Sequence, residues 1–76
     1  MSSNGIYEGP LNRFVRRFQD LKRESGKRTL EISEVQKALN WNYSHTQRYL
    51  EEAARRGKIR VRKVYFDGRP SREFFS

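Results

Sequence analysis

The chain reads as an α+β protein, with a three-helix core, a C-terminal β-hairpin and a short extra strand between the first two helices. Three observations predict this. Apolar residues recur at helical period over residues 10–25. Capping and turn-forming residues at Ser33, Asn40 and Asn42 then delimit two further short helices. After Gly57 the pattern changes to β-branched and aromatic residues around an Asp-Gly turn.

Residues 1–9 are polar and rich in Gly, Ser and Asn, and are expected to form a flexible arm ahead of one domain over residues 10–76. Pro10 suits the first position of a helix. Leu11, Phe14, Val15, Phe18 and Leu21 then draw one apolar stripe, and Gly26 supplies a left-handed stop. Arg13, Arg16, Arg17 and Arg23 fall off that stripe. Thr29 to Ile32 is too short for a helix and reads as a brief strand that can pair with the later hairpin. Ser33 with Gln36 is expected to cap the second helix, whose buried face is Val35, Ala38 and Leu39. Asn40 ends it by adopting the left-handed conformation, and Trp41 plugs the turn.

For the third helix both Asn42 and Ser44 can cap, and Asn42 gives the shorter turn between helices. Thr46, Leu50, Ala53 and Gly57 line its inner side. Ser44, Gln47, Arg48, Glu51 and Arg55 lie outside, with His45 at one margin and Tyr43 near the start. Ile59 to Phe66 forms a strand, Asp67-Gly68-Arg69-Pro70 a turn, and Ser71 to Phe75 the returning strand. Most of Phe14, Phe18, Tyr49, Tyr65, Phe66, Phe74 and Phe75 are expected in the core.

Composition narrows the function classes. Seventeen basic against nine acidic side chains give a net charge of +8 on 76 residues. Residues 10–28 hold seven basic and two acidic side chains, and residues 58–76 hold six and two, so positive charge flanks the third helix. Such a field draws polyanions. The absence of cysteine excludes disulfides and thiolate metal sites, and the single histidine, His45, has no ligand neighbours. No apolar run is long enough for a bilayer, and no signal-peptide-like segment opens the chain. A cytoplasmic, nucleoid-associated protein with no membrane partner is expected. No nucleophile–base set, phosphate loop, metal set or effector pocket is evident, so neither an enzyme, a cofactor nor a small-molecule substrate is expected.

The run A-L-N-W-N-Y-S-H-T-Q-R-Y-L resembles the helix-turn-helix of winged-helix transcription regulators. There an apolar pair precedes a Gly or Asn turn, an apolar plug, a capping residue and a polar helix. R-R-G-K-I-R-V-R-K-V likewise resembles the exit into the wing, with Lys58 standing where an apolar residue is usual. The resemblance covers about residues 10–75. It implies double-stranded DNA as partner, a third helix in the major groove and a wing on the adjacent backbone or minor groove. By position, it implies that Tyr43, Ser44, His45, Gln47 and Arg48 read the DNA.

The chemistry of these residues agrees. Arg48 can donate two hydrogen bonds to guanine, Gln47 can pair with adenine, and Ser44 can bond a phosphate. Each has an ordinary structural alternative: Ser44 and Gln47 can serve as caps, Arg48 can pair with Glu51 or Glu52, and Tyr43 can pack on Trp41. Lys58, Arg60, Arg62, Lys63, Arg69 and Arg72 on the hairpin would supply affinity, with Lys27 and Arg28 meeting the backbone. A small transcriptional regulator is the leading expectation, and the compact chain fits a phage, plasmid or archaeal-virus source. Replication, partition or recombination accessories use the same contacts. Single-strand stacking by the aromatic hairpin, a protein-interaction module and a homodimer with two-fold DNA sites are the remaining alternatives.

Overall fold

The computed structural model describes residues 6–76, so residues 1–5 of the expected arm lie outside the described residues. Helix α1 spans Glu8–Ser25, α2 spans Ile32–Leu39 and α3 spans Tyr43–Arg55. Strands β1, Arg60–Phe66, and β2, Arg69–Phe75, pair antiparallel. Three helices followed by a hairpin make an α+β arrangement consistent with a winged helix.

Helix α1 begins two residues ahead of Pro10. The proline costs no hydrogen bond there, because the first helical bond runs from the Leu11 N–H to the Tyr7 carbonyl at 3.0 Å. Gly26, at φ 70°, ends the helix in the left-handed region. Beyond it the expected strand over Thr29–Ile32 shrinks to one bridge. Leu30 and Phe74 exchange both backbone hydrogen bonds, at 2.9 and 2.8 Å, and Ile32 already opens α2.

The cap of α2 is therefore two residues earlier than Ser33 and Gln36 suggest. Glu31 and Glu34 form the capping box, in which Glu34 Oε1 accepts from the Glu31 N–H at 3.0 Å. The earlier start brings Ile32 into the helix and its buried face, whereas Ala38, expected on that face, is exposed. Asn40, at φ 57°, ends α2 as expected, and the Trp41 N–H reaches back to the Gln36 carbonyl at 3.1 Å. Asn42 caps α3, its Oδ1 accepting from the His45 N–H at 2.7 Å. Helix α3 ends before Gly57, which at φ 76° lets the Lys58 N–H bond the Ala53 carbonyl at 2.8 Å.

Leu11, Phe14 and Phe18 of α1 meet Ile32, Val35, Leu50, Ala53, Ile59, Leu30 and Phe74 in one core. Thr46 is buried among them, and its hydroxyl is satisfied by the Asn42 carbonyl at 2.9 Å. Phe74 is the hairpin's anchor, because its ring is fully buried while its backbone pairs with Leu30.

The hairpin turn is Asp67-Gly68 alone, not the four residues Asp67 to Pro70. Both central residues have positive φ, 52° and 78°, as a type I′ turn requires. Strand β2 consequently starts at Arg69, with Pro70 opposite Tyr65. That pair is one step from the turn-closing pair Phe66–Arg69, so the nitrogen of Pro70 faces away from β1 and no ladder bond is lost. Tyr65 and Phe66, expected in the core, stand exposed.

Candidate nucleic-acid interface

Helix α3 sorts the expected reading residues onto different faces. Ser44, Arg48, Glu51 and Arg55 recur at helical spacing along its exposed ridge. Tyr43 lies toward the hairpin and is half exposed. Gln47 is half-buried and donates to Glu51 Oε2 at 3.1 Å. His45 turns the other way. Its ring meets Trp41 edge-on at 4.4 Å and Tyr49 at 4.9 Å, within a cluster that continues to Phe14. Trp41 thus pairs with His45 and Tyr49, and Tyr43 has no part in that cluster.

The turn register divides the hairpin cations between two faces, since side chains alternate along each strand. Lys63 and Arg72 are directly opposite each other and share the face of the buried Phe74. Arg60, Arg62 and Arg69 lie on the other face with Phe66 and Phe75. Arg62 donates to Glu73 at 2.7 Å, and Lys58 stands 3.8 Å from Glu8. Arg72 Nη2 is 3.0 Å from Glu51 Oε2, with its guanidinium 5.7 Å above the Phe74 ring. Lys27 pairs with Glu34, which raises the lysine pKa. Burial pushes Glu34 upward, yet hydrogen bonds from Lys27 and the Glu31 backbone outweigh it and leave its carboxyl below the ordinary value. Among the described residues, Arg28, Arg60, Lys63 and Arg69 have no carboxylate partner within salt-bridge distance.

The start of α3, the start of α2 and the Lys63–Arg72 face enclose an open cleft of about 380 Å³. Tyr43, Ser33, Lys63, Tyr65, Pro70 and Arg72 line it. Arg28 and Arg62 instead flank a separate depression beside Lys22 and Phe75. The fold therefore does not gather the expected cations at one spot. Ser33 and Tyr65 are not among the site residues that the sequence suggests. The signal for Tyr65 is the Asp67-Gly68 pair, because a two-residue turn places Tyr65 opposite Pro70 and Lys63 opposite Arg72.

Among the described residues no group of His, Asp or Glu could hold a metal ion, and no helix is long and apolar enough to cross a membrane. Compared with known proteins, the chain matches no family model, no curated protein and no solved structure.

Proposed function

We propose that this protein is a winged helix-turn-helix DNA-binding protein, laying the ridge of α3 in the major groove and the hairpin on the adjacent backbone or minor groove. One observation carries the reading. The exposed ridge with Ser44, Arg48 and Arg55 stands beside a hairpin that presents cations on both faces. A thirteen-residue helix is about 20 Å long, and the major groove, about 12 Å wide, admits an α-helix. Ser44 sits in the first turn of α3, where unpaired backbone N–H groups favour a phosphate. Arg48, four residues on, reaches the base edges. Arg69 at the hairpin tip suits the minor groove or its phosphates. Regulation of transcription by occupying an operator is the role this geometry serves best.

Titration of a candidate duplex and a scrambled duplex at two salt concentrations tests the proposal. About six phosphate contacts would lower affinity roughly 10³-fold between about 50 and about 200 mM salt. A marked preference for one duplex supports base reading by α3. Failure of every duplex to bind at moderate salt overturns the proposal.

A further inference from the structure

Tyr65 is 71% exposed and Tyr43 is 50% exposed, yet both border the cleft between α3 and the hairpin. Among the described residues no ring stacks on either. Two uncovered aromatic rings thus face one cavity whose other walls carry Lys63, Arg72 and the Ser33 hydroxyl. Its volume, about 380 Å³, lies in the ~300–1,000 Å³ range of pockets that hold small organic groups.

A base inside a duplex offers no free face to such rings, because its neighbours already cover both sides. Only an unpaired base does. Aromatic rings interleaved with cations are the chemistry that binds single-stranded bases and their phosphates. We infer that the cleft takes an unpaired nucleotide of a DNA strand, its base against Tyr43 and Tyr65 and its phosphate on Lys63 and Arg72. In doing so Arg72 exchanges Glu51 for the phosphate. Glu31, which also borders the cleft, offers an acceptor to an exocyclic amino group of the base.

This inference rests on the duplex-binding reading and narrows its partner. Arg72 lines the cleft and pairs with Glu51 of the α3 ridge, so the cleft adjoins the ridge proposed for the major groove. One bound DNA would then present duplex to α3 and an unpaired strand to the hairpin. The preferred ligand is a fork, an overhang or a bubble rather than a blunt duplex. That preference keeps the duplex contacts of α3 but moves the role from an operator toward an accessory of replication or recombination.

Fluorescence anisotropy with one duplex core, offered blunt, forked, and as its separate single strand, tests this. The first unpaired position of the fork carries 2-aminopurine. The fork is expected to bind about tenfold more tightly than the blunt duplex, with the probe's emission quenched on stacking. Tyr65→Ala is expected to bring the fork-to-blunt ratio near one, and Tyr65→Trp to keep it. Equal binding of fork and blunt duplex, with no quenching, overturns the cleft proposal and leaves the duplex reading standing. Binding of the single strand alone, lost in Tyr65→Ala, supports the cleft while overturning the duplex reading. If no DNA binds, both fall.

Discussion

Arg72 of β2 reaches Glu51 of α3, Nη2 to Oε2 at 3.0 Å, and this contact ties the hairpin to the exposed ridge of the third helix. Glu51 also accepts from Gln47, so one carboxylate engages two side chains otherwise suited to DNA. An anion approaching the cleft competes with Glu51 for Arg72.

Removing the charge of Glu51 relieves that competition. Glu51→Gln is expected to tighten binding to all DNA and to steepen the slope of log affinity against log salt by about 1, as one more cation meets phosphate. Because the pair is exposed, stability should change by no more than about 1 kcal/mol. Binding isotherms over a salt series, with thermal melts alongside, check both. Weaker binding would mean that Glu51 orients Arg72 rather than withholding it.

On the proposed DNA binding, Arg48 has a reading role and Arg69 a holding one. Arg48→Ala is expected to cost about 1–3 kcal/mol at the preferred site and to flatten discrimination among sequences. Arg69→Ala should weaken every duplex about equally and reduce the salt slope by about 1. Parallel titrations of preferred and scrambled duplexes decide the matter. Equal loss on both duplexes with Arg48→Ala would remove it from the reading set.

Phe74 should dominate the stability of the hairpin's attachment. Phe74→Ala empties a fully buried site and is expected to cost about 3–5 kcal/mol. Urea unfolding measures it. Tyr65→Ala, by contrast, removes an exposed ring and should leave stability within about 0.5 kcal/mol of wild type.

The pH profile of stability follows from the ion pairs. Hydrogen bonds from Arg55 and Arg56, at 2.5–3.2 Å, hold the Glu52 carboxyl below its ordinary 4.5 despite partial burial. Glu34 is lowered too, against its own burial, by Lys27 and the Glu31 N–H. Carboxylates depressed in the folded state stabilise above their unfolded pKa, and that contribution is lost as pH falls through the folded values. Lys27 is raised, so its contribution is full below 10.5 and is lost as pH rises past its folded value. A plateau between about pH 5 and about pH 10 is expected, with a falling acid limb that Glu52→Gln makes shallower. Melting temperatures across that range test the shape.

The local signals in the chain are readable one at a time. Helical period identifies α1, Asn40 and Asn42 mark the turn before α3, and the β-branched run after Gly57 announces the hairpin. These features depend on a few neighbouring residues and on backbone conformations that side chains choose locally. Beyond the earlier start of α1, the strand reduced to one bridge and the exposed Tyr65 and Phe66, the structure departs from the local signals where two options compete. Ser33 with Gln36 and Glu31 with Glu34 both offer a capping pair, and burial of Ile32 favours the earlier one. Asp67-Gly68 closes the hairpin by itself, in place of a four-residue turn through Pro70, and this shifts every cross-strand partner.

By itself the sequence determined the order of elements, the strong positive charge and the polar character of the third helix. Only the tertiary structure decided which cations share a face, that Arg72 reaches the same Glu51 that Gln47 engages, and that Tyr43 and Tyr65 border one cleft. The reason is physical. Element type follows from periodicity over a handful of residues, whereas a shared cleft needs the register of a strand pair and the docking of helices far apart in the chain. Those are set by burial of Phe74 and its bridge to Leu30, contacts that span more than half of the sequence.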